Sequence, residues 1–360
     1  MKEELDVLGM LDLMTLPGFC VRQGRIAACN AAAQALLFAP GMEITQLLQT
    51  GQREYAAFSG GCLYLTVSCC GVSHAASLRR YGDADVFILE EDADCAELKS
   101  MALAARELRD PLSSVMTTAD RLFPITAKDA SPEVREQVAR MNRGLYQMLR
   151  VISNMSDAAR FTAARQNLET VEINGFFEEL FRNAQPLVAH TGLTVLYEPL
   201  SPRVFCLADK EKLERAVMNI LSNALKFTPP GGTIQAKLTR SGDLLSLSVR
   251  DNGCGIPEHI RGNVHNRYLR QPGLEDGRFG IGLGMVLIRS AAAAHGGTVL
   301  IDHPEGTGTR ITMTLAIRQD TSGNLRSNTL HIDYAGERDH GLIELSQSLP
   351  SHLYDASNAN

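Results

Sequence analysis

Asn219-Ile220-Leu221-Ser222-Asn223-Ala224-Leu225-Lys226-Phe227 is the stretch whose reading decides the fold. The two amides and the amine stand at i, i+4 and i+7, so an α-helix gathers them on one face while Ile220, Leu221 and Ala224 fill the other. A solvated helix face is the ordinary explanation of such a stripe. Turned inward, the same stripe suits a metal-phosphate group: amide oxygens complete the shell of Mg²⁺ and the ammonium neutralises a phosphate oxygen.

The sequence downstream favours the inward reading. Asp251-Asn252-Gly253-Cys254-Gly255-Ile256-Pro257 ends a strand with a carboxylate able to accept the exocyclic amine of adenine, followed by glycines that let backbone approach a flat ligand. Gly280-Ile281-Gly282-Leu283-Gly284-Met285 then precedes a helix, an arrangement that turns backbone N–H groups and a helix start towards phosphates. A dinucleotide fold would place such glycines after the first strand of a βαβ unit, with an acid about 20 residues later. Here they follow the Asp251 cluster, which is the wrong place. Around these motifs helix and strand signals alternate. Phe176 to Ala189, Lys210 to Lys226 and Leu283 to His295 read as helices; Thr194 to Tyr197, Arg203 to Leu207, Thr233 to Leu238, Leu244 to Arg250, Thr298 to Ile301 and Thr309 to Ala316 read as extended.

The order of these motifs, completed by His295-Gly296-Gly297 and Gly306-Thr307-Gly308-Thr309, resembles the catalytic domain of sensor histidine kinases within the ATPase superfamily shared with gyrase and Hsp90. The likeness spans residues 205–317. It implies an α/β sandwich of the GHKL, or Bergerat, type with ATP and Mg²⁺ as cofactors. It would place Mg²⁺ on Asn219 and Asn223, phosphate on Lys226 and the glycine loop of Gly280, Gly282 and Gly284, and adenine on Asp251, with Gly253, Gly255 and Thr309 completing the nucleotide site. Where the family has Phe-x-x-Phe, His265-Asn266-Arg267-Tyr268 keeps only the second aromatic, and the lid from Leu269 to Arg278 is short.

Upstream, Leu98, Met101, Ala105, Leu108, Leu112, Val115, Ala119 and Leu122 are spaced alternately by three and four, a heptad pattern. After a break at Phe123-Pro124 the pattern resumes at Val134, Val138, Met141, Leu145, Met148, Ile152, Met155 and Ala159. Two such helices predict an antiparallel hairpin that pairs with a second copy into a four-helix bundle; packing onto the chain's own neighbouring domain is the alternative. Within it, Arg106-Glu107-Leu108-Arg109-Asp110-Pro111-Leu112 is similar to the dimerisation and phosphoacceptor helix of the same family, which reads His-Glu-Leu-Arg-x-Pro-Leu. Arg106 stands where the acceptor histidine belongs. A guanidinium stays protonated and offers no lone pair to a phosphoryl group, so Glu107, the family's proton acceptor, has nothing to deprotonate. No histidine occurs between His74 and His190 to replace it, and Asp110 stands where the family's dephosphorylation residue, a Thr or Asn, would be.

Residues 1–95 carry short alternating runs and Gly-rich breaks, with Leu16-Pro17-Gly18-Phe19-Cys20-Val21, Gly24 to Ala33 and Val86 to Glu90 resembling a PAS sensor module. The expected organisation is a multidomain α+β chain: a PAS-like α+β sensor (1–95), a dimerisation hairpin (96–165), the ATP-binding α/β sandwich (166–318) and a polar, loosely ordered tail (319–360) in which Leu342 to Leu349 could dock. The net charge of −6, with both signs interspersed, argues against nucleic acid as a partner. Eight cysteines without zinc spacing fit reduced thiols in a cytosol, and neither a signal peptide nor a transmembrane run is present. The reading is a cytoplasmic, homodimeric pseudokinase of a two-component pathway that binds Mg-ATP and meets a response regulator or a partner histidine kinase. The rivals are an active kinase phosphorylating a histidine in another protein, for example in a heterodimer, and a GHKL ATPase or protein-serine kinase.

Overall fold

The structure, a computed structural model, describes Gly9, Leu11 and residues 14–89, 93–122, 131–163, 167–256, 283–304, 308–318 and 339–355. The N-terminal module is a five-stranded antiparallel sheet of β1 (Gly18–Arg22), β2 (Arg25–Cys29), β3 (Cys62–Cys69), β4 (Val72–Tyr81) and β5 (Ala84–Leu89) in the order β2-β1-β5-β4-β3. Three short helices, α1 (Ala31–Ala35), α2 (Ile44–Leu47) and α3 (Gln52–Ala56), lie between β2 and β3. Phe19 stacks between Phe38 and Phe87, with centroids at 5.0 and 4.9 Å. Asn30 caps α1 by accepting from Ala33 N–H and also accepts from Gly18 N–H, tying the helix to the first strand.

The hairpin consists of α4 (Ala93–Leu122) and α5 (Pro132–Ala163). Pro132 opens α5, where its missing N–H costs nothing. The heptad stripes divide into two rows of different fate. Leu98, Ala105, Leu112 and Ala119 on α4, and Val138, Leu145, Ile152 and Ala159 on α5, are buried, whereas Leu108, Val115, Val134, Met141 and Met148 are exposed.

The third module holds β6 (Glu169–Glu172), α6 (Ile173–Ala189), β7 (Thr194–Glu198), β8 (Phe205–Ala208), α7 (Lys210–Phe227), β9 (Thr233–Ser241), β10 (Leu244–Asp251), α8 (Leu283–Ala294), β11 (Val299–Asp302) and β12 (Arg310–Ala316). Its sheet runs β11-β12-β10-β9-β7, with β7 parallel to β9 and the other pairs antiparallel; β6 and β8 form a separate ribbon. Alternate residues on each strand, such as Ile234, Ala236 and Leu238 or Leu245, Leu247 and Val249, are buried with the apolar faces of α6 and α7. Each segment read as helical or extended in this region forms that element, with ends that agree to within three residues.

Two features tie the modules together. β3 pairs antiparallel with β11 through Cys62↔Ile301, Leu63↔Leu300 and Tyr64↔Val299, so both sheets become one of ten strands. The tail is ordered at 339–355: α9 (His340–Glu344) and a 3₁₀ turn (Ser351–Tyr354) bury Leu342, Ile343, Leu345, Leu349 and Tyr354 in the core shared by α5, α6 and α7. For these residues the structure replaces the loosely ordered tail by the alternative of a docked Leu342 to Leu349, because their apolar side chains outweigh the polar composition around them.

Candidate functional site

The site is built where the C-terminal half of α7, the end of β10, the start of β12 and the start of α8 converge. Three glycines make that approach feasible. A Cβ on Gly253 would stand 2.2 Å from the carbonyl oxygen of Phe227, one on Gly308 would stand 1.9 Å from that of Asp251, and one on Gly284 would stand 2.8 Å from Asn219 Oδ1. Gly255 supplies a positive φ of 69° after β10. Cys254 N–H donates to Phe227 O at 3.1 Å, locking the β10 end onto the α7 end.

Asp251 is buried, and its Oδ1 accepts from the N–H of Gly253 at 2.9 Å and of Thr309 at 3.2 Å. Burial raises its carboxyl above the ordinary range, and these backbone bonds oppose the rise by stabilising the anion. Both bonds fall on Oδ1 and fix the orientation of the carboxylate. Thr309 serves here through its backbone. Lys226 lies in the last turn of α7, and burial first, then the neighbouring Arg150 charge, pushes its ammonium down to about 7.

The two asparagines differ. Asn223 is partly exposed. Asn219 is buried; its Nδ2 donates to Arg215 O at 2.8 Å and its Oδ1 accepts from Arg150 Nη2 of hairpin helix α5 at 3.4 Å. Of the two amide oxygens expected for Mg²⁺, that of Asn219 already faces a guanidinium. Arg150 is the residue that the sequence reading missed. It lies 69 positions from Asn219 on the hairpin, where an arginine flanking an apolar stripe carries no mark of such a contact.

Other residues of the recognised pattern support the frame. His295 Nε2 accepts from Asp209 N–H at 2.9 Å and Nδ1 lies 2.7 Å from Ala291 O, and burial lowers its pKa, so it is a neutral core histidine that ties α8 to the start of α7. A Cβ on Gly297 would come within 1.7 Å of Thr314 O. Arg106 and Glu107 are exposed on α4. Gly280, Gly282, His265 to Tyr268 and the lid from Leu269 to Arg278 lie outside the described residues.

The family described as histidine kinase-, DNA gyrase B-, and HSP90-like ATPase matches residues 208–319. Hybrid signal transduction histidine kinase D of Dictyostelium discoideum is 28% identical over 279 residues, covering 73% of this chain and 17% of that protein. Histidine protein kinase DivJ of Caulobacter vibrioides is 30% identical over 245 residues, covering 63% of this chain and 40% of that protein. The chain thus spans less than half the length of either relative. Full-length ShkA, solved in complex with AMPPNP, superposes with a TM-score of 0.50 at 24% identity over 62% of this chain and 46% of that one, which shows a common fold. The chain belongs to the sensor histidine kinase family, and its residues 208–319 form the family's ATPase domain of the gyrase and Hsp90 type.

Proposed function

We propose that this protein binds Mg-ATP and acts as a regulatory pseudokinase in a two-component pathway, modulating or scaffolding its partners without phosphorylating itself. The observation that carries the reading is Arg106, exposed on α4 at the acceptor position of a hairpin that contains no histidine. Attack on a γ-phosphate needs a lone pair, and the guanidinium has none. Glu107 beside it is idle as a base.

Nucleotide binding is supported by what the site residues offer. Asp251 Oδ2 would accept the adenine amine, Gly253 and Gly255 give room for the ring, and Lys226 with the backbone around Gly284 would hold phosphate. Asn223 would ligate Mg²⁺, which when bound neutralises phosphate charge. The strand order of the N-terminal sheet, with helices between β2 and β3, supports a PAS-like sensor. The exposed heptad row supports a homodimer, and a response regulator or partner histidine kinase is the expected client. No described helix is long and apolar enough to cross a membrane; a cytoplasmic location is part of the proposal.

Calorimetry with Mg-ATP tests the nucleotide part. The unaltered protein should bind, and Asp251→Ala and Asn223→Ala should each weaken binding at least tenfold. Absence of binding by the unaltered protein would overturn the reading. Labelled ATP tests the rest: acid-labile label on the protein itself, or on an added partner kinase through this chain's own ATP site, would establish an active kinase instead.

A further inference from the structure

The sequence pattern puts a metal ion on Asn219, and the structure puts a guanidinium there. Arg150 is held in that position by the chain's C-terminal segment. Glu344 of α9 has no exposed side-chain surface; it forms a buried ion pair with Arg215 of α7, and its Oε2 lies 3.7 Å from Arg150 Nε. Arg150 Nη2 in turn reaches Asn219 Oδ1. The four side chains Arg215, Glu344, Arg150 and Asn219 form a buried relay from the tail to the site. Asp157 of α5 balances the second arginine, with Oδ2 at 2.7 Å from Arg215 Nη2.

The segment is fixed independently of the relay. Arg143 of α5 donates to Ser346 O at 3.2 Å and to Gln347 O at 3.1 Å, and the Tyr354 ring packs on Tyr146 at 5.1 Å. His340 Nε2 lies 3.1 Å from Glu214 Oε1 of α7. Residues 339–355 therefore bridge the hairpin and the ATPase module, and they carry a carboxylate paired with Arg150.

We infer that the C-terminal segment is a brake on Mg-nucleotide binding, acting by seating Arg150 on Asn219. A divalent cation between Asn219 and Asn223 would stand within a few ångströms of a buried guanidinium of like charge, so the metal and the seated Arg150 exclude one another. A buried arginine stays where its counter-charge is. Displacing Arg150 breaks its pairing with Glu344 and loosens α9, and releasing α9 frees Arg150 to leave the site. Metal-nucleotide binding and docking of residues 339–355 are then linked with opposite sign.

This inference rests on the proposed Mg-nucleotide site, and the test separates the two. Mg-AMPPNP binding is measured by calorimetry on the full chain, on Arg150→Met, which keeps the packing of the stem, and on Glu344→Gln. Both variants should bind at least tenfold more tightly than the unaltered protein, and the gain should vanish when EDTA replaces Mg²⁺. Equal or weaker binding by Arg150→Met would overturn the brake, weaker binding making Arg150 a phosphate ligand. Failure of all three proteins to bind would overturn the site and the brake together. Hydrogen exchange on the unaltered chain supplies a measurement that needs no variant: saturating Mg-AMPPNP should speed exchange of the α9 amides several-fold. Unchanged or slower exchange there would overturn the linkage.

Discussion

Lys226 is the residue whose chemistry most depends on where it is buried. In the folded protein its ammonium is pushed down to about 7, by burial first and Arg150 second, from an ordinary value of 10.5. Between those two pH values the unfolded chain binds the extra proton, so this lysine's contribution to stability rises with pH from about 7 upward and is least favourable below it. Binding runs the other way. A phosphate oxygen favours the charged form, so nucleotide affinity should fall as pH rises from 6.5 to 8.5, approaching tenfold per unit, with proton uptake on binding above pH 7. Lys226→Arg, which keeps its charge, should flatten that profile. Calorimetry in buffers of different ionisation heat reads both; an affinity independent of pH in the unaltered protein would rule out Lys226 as a phosphate partner. At this scale the sequence was informative about residues on one helix or one tight loop, since Asn219, Asn223 and Lys226 announce themselves by spacing. It was silent about Arg150 and Glu344, whose partners come from elsewhere in the chain and whose types are those of ordinary surface charge.

Among the elements, the hairpin shows how one periodicity serves two partners. A stripe spaced alternately by three and four contains two rows of period seven. In α4 and α5 the row of Leu98, Ala105, Leu112 and Ala119, with its counterpart Val138, Leu145, Ile152 and Ala159, is buried within the chain. The second row, with Leu108 49%, Val115 53%, Met141 38% and Met148 50% exposed, has no such cover. Burying the remaining exposed half of each against a second copy would contribute on the order of 1 kcal/mol, which over four residues and their symmetry mates favours a dimer. Packing within the chain thus accounts for the first row, and pairing with a second copy is the proposal for the second. The split was not legible in the spacing, because two rows on one amphipathic face carry the same residue types. Met148→Lys together with Val115→Lys should convert the protein to monomer in analytical ultracentrifugation without altering its helical circular dichroism. Leu196→Lys, on the exposed face of β7, should leave the dimer intact. A monomeric unaltered protein would refute the assignment of this row.

For the whole molecule the decisive feature is that the N-terminal and ATPase sheets are continuous. Strand patterning identifies β3 and β11 as strands, but backbone edges pair through groups that every residue carries, so no sequence signal could name them as neighbours. The structure adds side-chain ties: Glu54 Oε1 accepts from the hydroxyls of Thr298 at 3.2 Å and Thr314 at 2.8 Å, and the Arg289 guanidinium of α8 lies over the Tyr64 ring at 4.8 Å. A change in β3 thus bears directly on α8, whose first turn holds Gly284 against Asn219. Gly61 marks the joint, since a Cβ there would stand 2.3 Å from Ile301 O while its φ of 91° already disfavours a side chain. Gly71, with φ 82° and nothing within 4 Å of a built Cβ, separates the two effects. Either substitution by alanine strains the backbone by about 1–2 kcal/mol, but only Gly61→Ala forces the two sheets apart. Hydrogen exchange should show the β11 amides of residues 299–302 losing at least tenfold protection in Gly61→Ala and keeping it in Gly71→Ala. Equal protection in both variants would mean that the ten-stranded sheet does not persist in solution, and that the N-terminal module reaches the nucleotide site by way of the hairpin alone.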